Sequence, residues 1–216
     1  MTLLRQLDQV LSEQPFTSEI IVVDDDSTDG TAEVIRSTEM RVKTRVVVRK
    51  GEKGLASAIV RGLAEAKGRA CLVMDADGSH PVRLVPQLLK PVLSGEAEMT
   101  IASRYREGSG VENWPLHRRL ISTGATALTK PLTHGKDVRD PMSGFFAIDK
   151  RILGREKLDP IGYKIGFEIL VRCNPRPVVE IPYQFQDRQG GKSKLGPRQM
   201  ADYVMHIFRL YRYAYL

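Results

Sequence analysis

The chain has 216 residues, 42% of them hydrophobic, which is enough for one domain with a sizeable core. Lys and Arg number 33 against 26 Asp and Glu, a formal net charge of +7. No apolar run approaches the ~18 residues of a membrane span, and the opening Met1–Asp8 lacks signal-peptide character. Cys71 and Cys173 sit in apolar contexts at no metal-ligand spacing and are expected as buried thiols in a reducing compartment.

In chain order, Leu3, Leu4, Leu7, Val10 and Leu11 recur at helical spacing and predict a helix over Thr2–Glu13. Strand Glu19–Asp24, helix Thr31–Ser37 and short strand Arg45–Val48 follow. Helix Gly54–Lys67, strand Ala70–Met74, helix Val82–Leu93 and strand Met99–Ala102 continue the alternation. Such alternation predicts an α/β fold: a mostly parallel, Rossmann-like sheet with right-handed crossovers and flanking helices. Beyond Ser103 a polar loop (104–113) precedes a helix over Leu116–Leu132. Then come strand Gly144–Ile148, a helical turn or two at Gly166–Val171 and strand Val178–Ile181. A glycine-rich basic loop over Gln186–Pro197 leads into a final helix, Arg198–Leu216, suited to a membrane interface or to packing on the sheet.

Two strands end in acids. Val22-Val23 runs into Asp24, Asp25 and Asp26, and Val73-Met74 into Asp75 and Asp77. The C-terminal edge of a parallel sheet is where open α/β folds bind ligands. In an extended Asp75-Ala76-Asp77 both carboxylates would point the same way and could grip one divalent cation. Helix capping is the competing reading, by Asp26 or Ser27 for the first helix and by Asp77 or Ser79 for the second. His80 precedes Pro81 and reads as a helix-start residue, not a base. Asp140 and Ser143 either line a site or begin a strand through an ordinary Asp-Pro turn.

The basic excess lies elsewhere. From Arg188 to Leu216 there are six Lys/Arg and one acid, Asp202. That asymmetry suits a phosphorylated substrate or an anionic membrane surface, with a solvated basic face as the alternative. Nucleic acid is not expected as a partner, because the acidic sheet edge is wrong for it.

Six segments in one order carry a resemblance: Val23-Asp-Asp-Asp-Ser-Thr-Asp-Gly-Thr31, Lys53-Gly-Leu-Ala-Ser-Ala58, Asp75-Ala-Asp77, Ala102-Ser-Arg-Tyr105, Asp140-Pro-Met-Ser-Gly-Phe145 and Gly191-Lys-Ser-Lys194. Together they resemble the dolichyl-phosphate (polyprenyl-phosphate) mannose synthases, inverting glycosyltransferases with the glycosyltransferase A fold. The resemblance implies a single domain with a nucleotide-sugar-binding half (1–103) and an acceptor-binding half (104–216). The run Asp24, Asp25 and Asp26, Asp25 foremost, would contact the nucleotide with Gly54. Asp75 and Asp77, with Ser79, would hold Mg²⁺ or Mn²⁺ against the diphosphate. Arg104, Arg118 and Ser122 would bind the acceptor phosphate, and Arg188 and Lys194 would close over both substrates. Arg118 has a plainer alternative, as part of a solvated His117-Arg118-Arg119 cluster.

The implied reaction moves mannose from GDP-mannose to a polyprenyl phosphate. UDP-glucose or another donor is the alternative, as is an inactive nucleotide-binding relic. The implied place is peripheral, on the cytoplasmic face of a membrane (endoplasmic reticulum or plasma membrane), with a membrane-anchoring subunit as a candidate partner. The chain departs from the family's pattern at Gly78 and Ser79, where bulkier side chains such as Gln are usual. It also starts after the family's first strand, so the sheet is expected to lack a strand between Glu19–Asp24 and Ala70–Met74.

Overall fold

A computed structural model describes residues 2–111, 128–159, 161–185 and 196–216. The first half runs α1 (Thr2–Ser12), β1 (Glu19–Asp24), α2 (Thr31–Ser37), β2 (Lys43–Val48), α3 (Leu55–Glu65), β3 (Ala70–Val73), α4 (Val85–Ser94) and β4 (Met99–Ser103). The second half adds β5 (Gly110–Val111), β6 (Phe146–Asp149), α5 (Ile165–Arg172), β7 (Val178–Pro182), β8 (Gln184–Phe185) and α6 (Pro197–Tyr215). The expected Val82–Leu93 helix opens with a 3₁₀ turn over Val82–Leu84, since Pro86 has no N–H to donate to the Val82 carbonyl. Most of the expected Leu116–Leu132 helix lies outside the described residues; its end forms a 3₁₀ turn over Lys130–Thr133.

β1 and β2 pair in parallel, Glu19 opposite Lys43 through Asp24 opposite Val48. A second sheet has the order β3-β6-β4-β7, with β4 and β7 parallel and β6 antiparallel to both neighbours. β6 therefore runs against the others, a reversal that alternating hydrophobicity does not encode, because side chains alternate identically in either direction. Short β5 and β8 pair at one margin. Among the described residues β1 bonds only to β2, and β3 only to β6, so no backbone ladder links the two sheets across the place where a strand was expected to be missing.

Side chains hold the sheets together instead. Alternate residues of each strand enter separate cores. Cys71, Met99, Ile101, Phe146 and Ile148 face α3, α5 and α6, packing with Leu63, Ile169 and Leu210. Leu72, Ala102 and Ala147 face α1 and α4, packing with Leu7, Leu11, Leu88 and Val92, and Ile20 and Val22 of β1 join them. Burying such side chains contributes about 1.5–3 kcal/mol each. Two glycines permit the closest approaches. A Cβ on Gly62 of α3 would come 3.1 Å from Val23, and one on Gly166 of α5 would come 2.7 Å from the Phe146 ring. The two cysteines are free and buried, with burial pushing the Cys173 thiol up to about 11. In α6, Ile207 and Leu210 join the core, which bears out packing on the sheet, while Met200, Val204, Met205 and Phe208 are exposed.

Candidate active site

The chain leaves β1 through a bend that satisfies its own acids. Asp24 is buried; one carboxylate oxygen accepts the Ser27 N–H at 3.0 Å and the other its hydroxyl. Asp25 accepts from Arg49 Nε at 2.8 Å and from Arg49 Nη2, and its second oxygen accepts the Gly54 N–H at 2.9 Å. The Arg49 side chain is only 3% exposed, and it also donates to Ser57 Oγ and the Gly54 carbonyl. Asp25 thus ties the end of β1 to the residue after β2 and to the start of α3. Gly54 takes φ +135° there, a conformation that L side chains rarely adopt. Asp26, at φ +59°, stands exposed. Neither Asp26 nor Ser27 caps α2. Gly30 holds the cap position, and Asp29 closes the turn by accepting from the Thr31 N–H and hydroxyl.

At the end of β3 the arrangement is different. The Asp75-Ala76-Asp77 segment is not extended, because a turn begins at Ala76 and Gly78 takes φ +77°. The two carboxylates therefore do not share a face by strand alternation, contrary to the expectation from sequence. Asp77 accepts the Ser79 N–H at 3.0 Å and its hydroxyl at 2.6 Å, so Ser79 serves this turn. No side chain caps the following 3₁₀ turn, which corrects the capping alternative for Asp77 and Ser79. The Asp75 carboxylate, half-buried, accepts no hydrogen bond and makes no ion pair among the described residues.

His80 fixes this segment from beneath. Its Nδ1 accepts the Asp75 N–H at 3.0 Å, and its ring stacks on Phe145 with centroids 4.7 Å apart. Accepting at Nδ1 places the neutral ring's proton on Nε2. Burial lowers the imidazole's pKa below 6.5 despite the pull of Asp75 and Asp77. His80 is more than a helix-start residue, and only the packing of Phe145 reveals it.

Beyond β4, Arg104 forms a two-pronged pair with fully buried Asp140: Nε to Oδ2 and Nη2 to Oδ1, both 2.8 Å, with the Arg104 N–H also donating to Oδ2 at 2.9 Å. Asp140 is placed in turn by Glu180 of β7, which accepts the N–H groups of Arg139 and Asp140 and the Arg106 Nε at 2.7 Å. The Asp140–Ser143 segment is a turn, Ser143 N–H donating to the Asp140 carbonyl, and its aspartate is also the counterion of Arg104. The turn brings Gly144 against Asp75: a Cβ on Gly144 would lie 3.8 Å from Asp75 Oδ2. Lys164, just before α5, reaches back and donates to the Met142 carbonyl at 2.8 Å. Arg49, Glu180 and Lys164 carry no sequence signal, because Asp25, Arg139 and Met142, which they meet, lie 24, 41 and 22 residues away. Arg118, Ser122, Arg188 and Lys194 lie outside the described residues.

Asp25, Asp75 and Arg104 thus lie at or just beyond the C-terminal ends of β1, β3 and β4, the binding edge of an α/β sheet. The Asp75 carboxylate fits a divalent cation: it is a hard oxygen ligand, without a hydrogen-bond donor among the described residues, beside a turn whose Gly144 leaves room.

Comparison with known proteins agrees with this architecture. The model of Glycosyl transferase family 2 matches residues 2–161. A dolichol-phosphate mannosyltransferase of Pyrococcus furiosus is 42% identical over 201 residues, covering 93% of this chain and 57% of that protein. The chain therefore spans a little over half the length of that relative. One from Mycosarcoma maydis is 39% identical over 210 residues, covering 94% and 70%. Among solved structures, mannosyl-3-phosphoglycerate synthase from Rubrobacter xylanophilus superposes with a TM-score of 0.69 at 21% identity, covering 100% of this chain and 70% of that one. Glucosyl-3-phosphoglycerate synthase from Mycobacterium tuberculosis, solved with Mn²⁺, uridine diphosphate and glucosyl-3-phosphoglycerate, gives 0.65 at 19% identity, covering 98% and 74%. These two share the fold, the glycosyltransferase A architecture expected from sequence. A family match across most of the chain, with relatives near 40% identity over almost all of it, makes this chain a member of glycosyl transferase family 2.

Proposed function

We propose that the protein transfers mannose from GDP-mannose to a polyprenyl phosphate with inversion. The observation that carries this reading is the Asp75 carboxylate, which accepts no hydrogen bond from the described residues, at the same sheet edge as the Arg104–Asp140 pair, in a chain 42% identical to a dolichol-phosphate mannosyltransferase. Mg²⁺ or Mn²⁺ held by Asp75 and Asp77 would supply electrostatic stabilisation of the departing diphosphate. The Mn²⁺ of the Mycobacterium tuberculosis neighbour supports a divalent ion of this kind. Asp25, held by Arg49, would offer its edge to the nucleotide, next to Gly54.

The acceptor needs no general base. A phosphate monoester, with a second pKa of roughly 6, is already a dianion near neutrality. Its oxygen attacks the anomeric carbon while the bond from that carbon to the diphosphate breaks, the electron pair leaving with the nucleoside diphosphate. His80, neutral and with its Nδ1 occupied by the Asp75 N–H, suits holding the acidic turn and not proton abstraction. The exposed apolar side chains of α6, with Arg209 and Arg212 on the same helix, support peripheral attachment to an anionic membrane surface, where a prenyl chain would lie. A membrane-anchoring subunit would strengthen that attachment.

The test incubates purified full-length protein with radiolabelled GDP-mannose, a prenyl phosphate and Mn²⁺ or Mg²⁺, with UDP-glucose in a parallel arm. Mannolipid formed only with metal and GDP-mannose supports the reading. Glucolipid formed in its place transfers the assignment to the alternative donor, and the absence of any glycolipid favours a nucleotide-binding relic.

A further inference from the structure

We propose that Lys164 is a binding residue for the acceptor's phosphate group, a role that rests on the transferase reading above. Its ammonium donates to a neutral carbonyl, that of Met142 at 2.8 Å, and lies 4.9 Å from the centre of the Tyr163 ring. Among the described residues it has no carboxylate partner. The charged groups within its electrostatic reach are Arg104, Asp140 and Asp75. Arg104 and Asp140 neutralise each other through their two-pronged pair, and Asp75 is the carboxylate with which a divalent cation fits. Among the described residues Lys164 is therefore a cation whose bonded partner is a neutral carbonyl, with Asp140 and Asp75 acting on it only through space. Burial and the field of Arg104 depress its ammonium to about 8.

A part-buried charge bonded only to a neutral group is costly, and such a group persists where a ligand completes it. The ligand that completes this one is an anion arriving beside Arg104, in the half of the chain built after β4. A phosphate monoester has both the charge and the acceptor oxygens for it, and an ammonium meets a phosphate as a point charge without fixed orientation. Arg104, already satisfied by Asp140, contributes little net charge of its own. Lys164 thus explains how the site attracts an anionic acceptor although its visible arginine is compensated. The donor diphosphate is the competing anion, and the experiment separates the two.

Two substitutions divide charge from structure. Lys164→Gln keeps an N–H donor for the Met142 carbonyl and removes the charge, and Lys164→Arg keeps the charge. With full-length protein, calorimetric titration uses a short-chain prenyl phosphate and, separately, the corresponding prenol. Parallel transfer assays give KM for acceptor and donor, and thermal melts check folding. Loss of one charged hydrogen bond predicts that K164Q weakens prenyl phosphate binding roughly 10- to 100-fold. Prenol affinity and donor KM stay unchanged, and K164R recovers most of the loss. Equal binding of prenyl phosphate by wild type and K164Q overturns the proposal, as does a matching loss in donor KM. A wild-type protein that transfers no sugar, yet binds prenyl phosphate through Lys164, sinks the transferase reading and leaves this assignment standing.

Discussion

The ends of β1 and β3 look alike in sequence, each an apolar strand running into aspartates, but the fold treats them differently. After β1, Asp24 and Asp25 accept donors from Ser27, Arg49 and Gly54, so their charges are met by the protein itself. After β3, Asp77 has the donors of Ser79, whereas Asp75 has none among the described residues. A carboxylate met by internal donors costs the fold little and serves to position loops. One left without donors in a half-buried place is destabilising by itself, and that is the state expected of an acid reserved for a cation.

The largest expected effect tests the unmet acid. Asp75→Asn removes a carboxylate that accepts no hydrogen bond from the described residues and is opposed only through space by Lys164, so the melting temperature should hold or change little. Metal-dependent transfer should fall on the order of 10²–10³-fold, the usual loss when one group stabilising a developing charge is removed. A variant that loses stability as well as transfer would place Asp75 among the structural acids and erase the contrast with Asp25.

The met acid should behave in the opposite way. Arg49→Met deletes the charged bonds to Asp25 and should destabilise the protein by about 1.5–3 kcal/mol. For a domain of this size the melting temperature should then fall by roughly 2–4 °C per kcal/mol. Denaturant melts of the variant, paired with nucleotide binding, show whether the Asp25–Arg49–Gly54 arrangement is structural first and functional second. No change in stability would remove the claim that the fold satisfies this acid.

The smallest effect is a pH dependence arising under β3. Burial keeps the folded His80 below its unfolded value of 6.5. As the pH falls through 6.5 the unfolded chain takes up a proton that the folded one refuses, so stability declines from there down to the folded pKa and is fully present above 6.5. His80→Gln keeps an acceptor for the Asp75 N–H and should flatten the melting temperature between pH 6.5 and 5. An unchanged slope would assign that part of the acid sensitivity elsewhere. Asp149 adds a separate loss that begins as the pH falls through its ordinary carboxylate value and continues below it, since Arg151 and Arg69 hold its carboxyl down.

Much of this protein was legible from sequence alone. Local periodicity placed strand Glu19–Asp24 and helix Thr31–Ser37 at the boundaries found, and α6 within one residue at each end, because spacing within one element needs no knowledge of its neighbours. The acids at the sheet edge were legible too, since a strand that stops in carboxylates marks its own C-terminal end. What only the tertiary structure decided is how each charge is met. Arg49 reaches Asp25 across 24 residues, Arg104 reaches Asp140 across 36, and Lys164 reaches the Met142 carbonyl across 22. The antiparallel course of β6, and the turn that ends the extended chain at Ala76, were likewise invisible. Side-chain period is fixed by the backbone within one element, whereas strand direction and charge pairing depend on which distant segments the core brings together. Sequence therefore named the acids, and packing decided which of them the donors of the described residues meet.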